Sequence, residues 1–269
     1  MKNKRDPDKG LNLARGRLPS TSRFERVKER ARFPHGRLIV ALDFPTEREA
    51  LSLVDGLVPD VKIFKVGLEL FVASGPSVVS RVREKGAGVF LDLKLHDIPN
   101  TVKGAVSCAA RLGAGIISVH LSVGREGLKA AVEGIGEASQ ETGEKPLLAG
   151  VTVLTSLGSE QAGGTVGSVL EQVLRLSRLA QECGIEGIIT SVREAAEVRK
   201  NLGEACVIIT PGIRLSGVSD EHKRAGTVRD ALAAGSDYLV VGRPITRAPN
   251  PHDEARRFLD EISAFEEID

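Results

Sequence analysis

Gly88-Val89-Phe90-Leu91-Asp92-Leu93-Lys94-Leu95-His96-Asp97-Ile98-Pro99-Asn100-Thr101 changes character partway along. It opens on an apolar run, as a buried strand requires, and then acid, base and acid follow at Asp92, Lys94 and Asp97. Side chains alternate across a strand, so Asp92 and Lys94 are expected on one face. Opposite charges at the mouth of a buried strand are costly unless paired. Asp97 falls just past the expected strand end, where Pro99 stops ladder pairing. One carboxylate beside a lysine is an ordinary ion pair. Two carboxylates around one lysine leave a negative charge over, which suits a site that donates a proton while orienting or repelling an anionic substrate.

Working outward from this segment, eight short runs rich in β-branched residues recur along the chain. They are Leu38–Phe44, Val61–Val66, Val89–Leu95, Ile116–Leu121, Leu147–Leu154, Gly187–Thr190, Val207–Ile213 and Tyr238–Ile245. Helical stretches lie between them, among them Ser77–Lys85, Thr101–Leu112, Arg125–Ser139, Val169–Cys183 and Val192–Leu202. Gly86, Gly113, Gly184, Gly203 and Gly235 sit where a helix-closing glycine is expected. Strands alternating with helices in units of roughly 30 residues predict parallel βαβ units. Eight such units in 269 residues predict a single (β/α)8 TIM barrel in the α/β class. No G-x-G-x-x-G follows the first strand, which argues against an open dinucleotide-binding sheet.

Composition agrees with a globular chain: 41% hydrophobic and 27% charged. Aromatics make up 3% and Trp is absent, which argues against a nucleic-acid surface built on base stacking. The formal net charge is +1, but residues 1–37 hold 12 Lys/Arg against 4 Asp/Glu, an excess of 8 that leaves the remainder at −7. Residues 1–36 are therefore expected to be a basic, mobile arm appended to a barrel domain spanning 37–269. Cys108, Cys183 and Cys206 are odd in number, widely spaced and in apolar stretches, so they are expected as buried thiols in a reducing cytoplasm. No apolar run reaches membrane-spanning length, and the basic start lacks the apolar region of a secretory signal.

In barrels of this kind the chemistry sits at the C-terminal strand ends. The first strand ends in Asp43 and the second carries Lys65. The third carries Asp92 and Lys94, with Asp97 following; the fourth carries His120 and the fifth ends at Thr155-Ser156. The seventh ends in Thr210-Pro211-Gly212-Ile213-Arg214 and the eighth in Val241-Gly242-Arg243-Pro244. A phosphate site after the last two strands recurs in these folds. Gly242 would let the backbone approach a phosphate, and Arg243 could grip it with a forked guanidinium. Structural alternatives stand beside each residue. Asp43 could cap the next helix, although Thr46 competes; Lys65 could be ion-pair glue; His96 and His120 could be packing residues; Arg243 could be a surface arginine. That all these charges fall at one barrel end favours a site. No metal is expected, because the carboxylates sit beside lysines and no His/Cys cluster has ligand spacing.

These residues resemble the orotidine 5′-monophosphate decarboxylase family from about Arg37 to Ile262. The landmarks are Ala41-Leu42-Asp43, Phe64-Lys65-Val66-Gly67, Asp92 through Thr101, Val151 through Ser156, Thr210 through Arg214, and Val241 through Thr246. The D-x-K-x-x-D core is shared with sister enzymes acting on sugar phosphates; the longer string D-L-K-L-H-D-I-P-N-T is far more specific. The resemblance implies that Asp43 and Lys65 hold the ribose hydroxyls, Asp92 faces the substrate carboxylate and Lys94 donates the proton. It implies a homodimer in which Asp97 and Thr101 reach the neighbouring subunit's site. Thr155 would contact the pyrimidine; Pro211 belongs to the same substrate-binding set; Arg214, Gly242 and Arg243 would bind phosphate. Where the family usually has a glutamine after the seventh strand, Asp220-Glu221-His222-Lys223-Arg224 puts His222.

The implied reaction is decarboxylation of orotidine 5′-monophosphate to UMP and CO2, the last step of pyrimidine nucleotide synthesis, with no cofactor. Loss of CO2 from C6 leaves a carbanion in the ring plane, where the π-system cannot delocalise it. Fixed charge must then carry the catalysis, with the Lys94 ammonium stabilising and protonating C6. Two alternatives remain open at this stage. One is a sister enzyme acting on a sugar phosphate through a metal-stabilised enediolate; the other is a non-catalytic barrel whose basic arm binds nucleic acid or an acidic partner.

Overall fold

The computed structural model describes residues 34–154, 168–215 and 226–267. Eight of its strands close into an all-parallel barrel. They are β1 (Leu38–Ala41), β2 (Ile63–Gly67), β3 (Gly88–Leu95), β4 (Ile116–His120), β5 (Leu147–Val151), β6 (Gly187–Ile189), β7 (Val207–Pro211) and, last in the chain, Tyr238–Val241. Two further short strands, β8 (Ile213–Arg214) and β9 (Gly226–Thr227), pair with each other outside the barrel, so Tyr238–Val241 is β10. Closure runs through β1, which pairs with β2 on one side and β10 on the other. The expected TIM barrel is present, with helices in the crossovers.

Strand alternation divides the apolar residues into two cores. Leu38 and Val40 of β1 pack outward under the helices, whereas Ile39 and Ala41 point into the barrel. The interior holds Phe90, Ile116, Leu147, Ala149, Val207, Ile209, Tyr238 and Val240 as well. Both faces of each strand are thus covered, which is why the strands read as continuous apolar runs rather than alternating ones.

Helix ends follow their local chemistry. Thr46 caps the helix Glu47–Leu57 by accepting from the Glu49 backbone N–H at 3.4 Å, which releases Asp43 from that job. Pro99 opens the helix Pro99–Arg111, where its missing N–H costs nothing. The five glycines expected to close helices all take φ between 70° and 85°.

Some expected boundaries shift. The last barrel strand stops at Val241 rather than Ile245, because Arg243–Thr246 forms a helical turn with Pro244 near its start. The fifth strand stops at Val151. All three cysteines are free thiols, but Cys108 is exposed on the helix Pro99–Arg111, against the expectation that all three are buried. Its neighbours Ser107 and Ala109 take the inward positions instead. Among the described residues no helix is long and apolar enough to cross a membrane. Thr155, His222 and the greater part of the expected arm lie outside the described residues.

Candidate active site

The interior parity of each strand, continued one step past the apolar core, assembles the site. Ile39 and Ala41 are followed by Asp43, Ile63 by Lys65 and Gly67, and Phe90 by Asp92. Ile209 is followed by Pro211, and Val240 by Gly242. The apolar layers below therefore set the height at which charge first appears.

Four side chains form an alternating chain of charge. Lys65 Nζ donates to Asp43 Oδ1 at 3.0 Å and lies 3.7 Å from Asp92 Oδ2. Lys94 Nζ donates to the same Asp92 oxygen at 2.7 Å. The Asp92 side chain is only 8% exposed, against 39% for Lys94 and 53% for Asp43, so the chain is anchored at Asp92 and opens at both ends. The second Asp92 oxygen is buried with no hydrogen-bond partner among the described residues.

Two glycines keep space around this chain. A Cβ on Gly67 would come within 3.0 Å of Lys65 Nζ and 3.3 Å of Asp43 Oδ1. A Cβ on Gly242 would meet Asp43 Oδ2 at 3.5 Å. Gly242 therefore lies beside the acid end of the chain, because β10 is the hydrogen-bonded neighbour of β1. Arg243 follows it, exposed, at the start of the short helix Arg243–Thr246. Arg214 is set by β8, where it pairs with Thr227 in β9; Thr227 in turn caps the next helix with a capping box to Asp230.

Lys94 has the one positive φ, 50°, found among the described non-glycine residues. Such a conformation costs on the order of 1–3 kcal/mol and clusters at functional sites. Plain strand alternation therefore does not explain how Lys94 reaches Asp92, and the expectation of two acids around Lys94 also changes. Within one chain Lys94 meets Asp92, whereas Asp97 is exposed and accepts from the Ile98 backbone N–H at 2.6 Å. Thr101, in the first turn of the following helix, is exposed as well.

His96 and His120 stack at 5.3 Å between ring centroids and 15° between planes. His120 Nδ1 accepts from the Ser122 backbone N–H at 3.3 Å. Burial, then His96, then the Lys94 ammonium hold the His120 imidazole below its ordinary pKa. Sequence reasoning left Gly67 without a role and did not single out Ser118. Gly67 stood in a quoted landmark, and Ser118 is a polar residue inside the apolar run Ile116-Ile117-Ser118-Val119. Among the described residues no group of three or more His, Cys, Asp or Glu could hold a metal ion.

The fold and this array define a (β/α)8-barrel protein whose acids, lysines and arginines gather at the C-terminal strand ends. Residues 36–258 match the model of the orotidine 5′-phosphate decarboxylase / HUMPS family. The orotidine 5′-phosphate decarboxylase of Nitratidesulfovibrio vulgaris is 44% identical over 229 residues, covering 84% of this chain and 97% of that protein. The one from Saccharophagus degradans is 46% identical over 234 residues, covering 86% and 95%. The crystal structure of the Lactobacillus acidophilus orotidine 5′-phosphate decarboxylase superposes with a TM-score of 0.75 at 34% identity, covering 84% of this chain and 98% of that one. The chain belongs to the orotidine 5′-phosphate decarboxylase / HUMPS family.

The lowered His120 pKa makes a prediction about stability. The unfolded imidazole takes up its proton near pH 6.5, the folded one only at lower pH. The unfolded state therefore binds more protons between those values, and stability falls as pH drops below about 6.5. The His120 contribution is present above that pH and is lost as pH falls through the folded value. His120→Asn is expected to reduce the slope of melting temperature against pH between 7 and 5. Parallel slopes for the variant and the parent would remove His120 as the titrating group.

Proposed function

We propose that this protein decarboxylates orotidine 5′-monophosphate to UMP and CO2 without a cofactor, with Lys94 protonating C6. The observation that carries this reading is the Asp43–Lys65–Asp92–Lys94 charge chain. The second Asp92 oxygen is left without a donor among the described residues. The relatives at 44% and 46% identity carry the decarboxylase name.

In this reading the bond from C6 to the carboxylate breaks, CO2 leaves, and the electron pair stays on C6. The Lys94 ammonium stabilises that pair and then transfers its proton to C6. The neutral amine left behind regains a proton from solvent. Asp92, close to the substrate carboxylate, disfavours the charged ground state relative to departing CO2. Asp43 and Lys65 take the ribose hydroxyls, Pro211 lines the substrate, and Arg214, Gly242 and Arg243 take the phosphate. Thr155 at the pyrimidine and His222 in the bridging position complete the assignment from the sequence alone.

A homodimer is part of the proposal, with Asp97 and Thr101 serving the partner's site. Its support is the open apolar surface after neighbouring strands: Leu68 is 61% exposed, Val72 74% and Ile98 67%. A cytoplasmic setting goes with the three free thiols. Residues 37–269 are proposed as the barrel decarboxylase domain, with residues 1–36 an appended basic arm.

Absorbance of orotidine 5′-monophosphate is expected to change on adding the protein, equally with and without chelator. Lys94→Ala is expected to lower kcat by more than about 100-fold with the fold intact, since general acids typically supply 10²–10⁴-fold. Loss of turnover on chelation would favour the metal-dependent sister chemistry instead. Mixing Lys94→Ala and Asp97→Ala subunits should restore activity, because a heterodimer keeps one site with both residues intact. No rescue after verified subunit exchange would put Asp97 in its own chain's site. Arg243→Ala should weaken UMP far more than uridine in calorimetric titrations, because the guanidinium meets only the phosphate. Equal losses would take Arg243 out of the phosphate site.

A further inference from the structure

Ser118 is the residue that β4 offers opposite the charged stretch of β3. Leu91 pairs with Ile117 and Leu95 with Val119, so β3 takes four residue steps where β4 takes two. Asp92, Leu93 and Lys94 therefore face a single β4 residue, Ser118. This is a bulge, and bulges re-aim side chains at the rims of barrels. A bulge also takes backbone N–H groups out of the ladder, and each buried one must find another acceptor.

The Lys94 N–H finds Ser118 Oγ at 2.8 Å. Ser118 is fully buried and belongs to the interior parity of β4, between Ile116 and His120. Lys94 is the residue with φ of 50°. One hydroxyl thus ties down the backbone at the one left-handed lysine among the described residues, on the nitrogen bonded to the Cα that carries the side chain reaching Asp92. In β3 the Gly88 N–H bonds on the β2 side and the Val89 carbonyl on the β4 side, so plain alternation would turn Lys94 N–H toward β2; the bulge turns it to β4 instead, and with it the direction in which the ammonium leaves.

We propose that Ser118 is a positioning residue for Lys94: its hydroxyl holds the bulged, left-handed backbone that aims the ammonium at Asp92 and the reacting carbon. The inference rests on the reading of Lys94 as proton donor. It adds a residue from a strand that contributes no charge to the chain, and it explains why a hydroxyl stands in an otherwise apolar strand core.

The test uses the full chain and three measurements: kcat with orotidine 5′-monophosphate, Kd for UMP by calorimetry, and the melting curve. Ser118→Ala is expected to cost about 100-fold in kcat, the size of effect that follows a misplacement of about 1 Å. Its Kd for UMP should stay within about threefold, because the phosphate and ribose contacts are untouched. Ser118→Thr, which keeps the hydroxyl, should recover most of kcat. A Ser118→Ala protein with kcat near the parent's overturns the proposal, and so does a parallel loss of kcat and UMP binding, which marks a residue supporting the whole mouth. If Ser118→Ala does not fold, Ser118→Cys replaces it, matching volume with a weak acceptor; wild-type kcat in that variant overturns the proposal too. Lys94→Ala is measured alongside. If it is inactive while Ser118→Ala is fully active, only the positioning role falls. If Lys94→Ala is itself active, the proton-donor reading falls and takes this inference with it.

Discussion

A carboxylate buried between two ammonium groups is the constraint on which the rest of the mouth depends. Asp92 is almost fully enclosed, and a lone charge in that place would cost several kcal/mol. Lys65 and Lys94 converge on its Oδ2, and Asp43 balances Lys65 from the next strand. The result is a neutral row of alternating signs, delivered by three adjacent strands. Removing any one member leaves the row with an unbalanced charge, so the row acts as a unit. Its geometry is stiff because each member rises from a strand whose lower residues are locked in the interior core. Such stiffness is what electrostatic catalysis needs: charges already in place cost no reorganisation when charge develops in a transition state.

The same row shows where stability is given up. Lys94 occupies a backbone region disfavoured for residues with a Cβ, and one Asp92 oxygen lacks a described donor. Each feature is unfavourable alone, and both fall on the same few residues. Local rules are broken most often where chemistry is done. A barrel strand that kept its register through Leu95 would be more stable and would present Lys94 differently. The bulge, held from β4, trades ladder bonds for direction.

Much of this was legible in the sequence, for identifiable reasons. The barrel followed from eight apolar runs at regular spacing, because strands buried on both faces leave a signal that needs no partner information. Asp43, Lys65 and Asp92 were legible because strand parity carries the interior face upward to them. Three things were not. The bulge at Asp92–Lys94 depends on pairing with β4, a contact between distant residues that no local pattern encodes. The outward turn of Asp97 depends on capture by the next backbone N–H. The end of β10 at Val241 was missed because Arg243-Pro244-Ile245 reads equally well as strand or as helix start, and Pro at the first helical turn decides it. The exposure of Cys108 is a rotation question on one helix, which composition cannot answer.

Barrel closure links the two ends of the site. β1 and β10 are first and last in the barrel sequence but neighbours in space, and that pairing brings Gly242 to within a methyl group of Asp43. In the proposed reaction a phosphate at Gly242 and Arg243 and a ribose at Asp43 and Lys65 would then be contiguous, and the ribose lies on the same charge row as Lys94. Binding energy released at the phosphate, far from the bond that breaks, would act on a row already rigid in its own strands. A Cβ at Gly67 would press on that row at Lys65 and Asp43, whereas one at Gly242 would rest in ordinary contact with Asp43. Gly67 is thus the residue whose lack of a side chain lets Asp43 and Lys65 close on each other, and Gly242 continues the last strand alongside them.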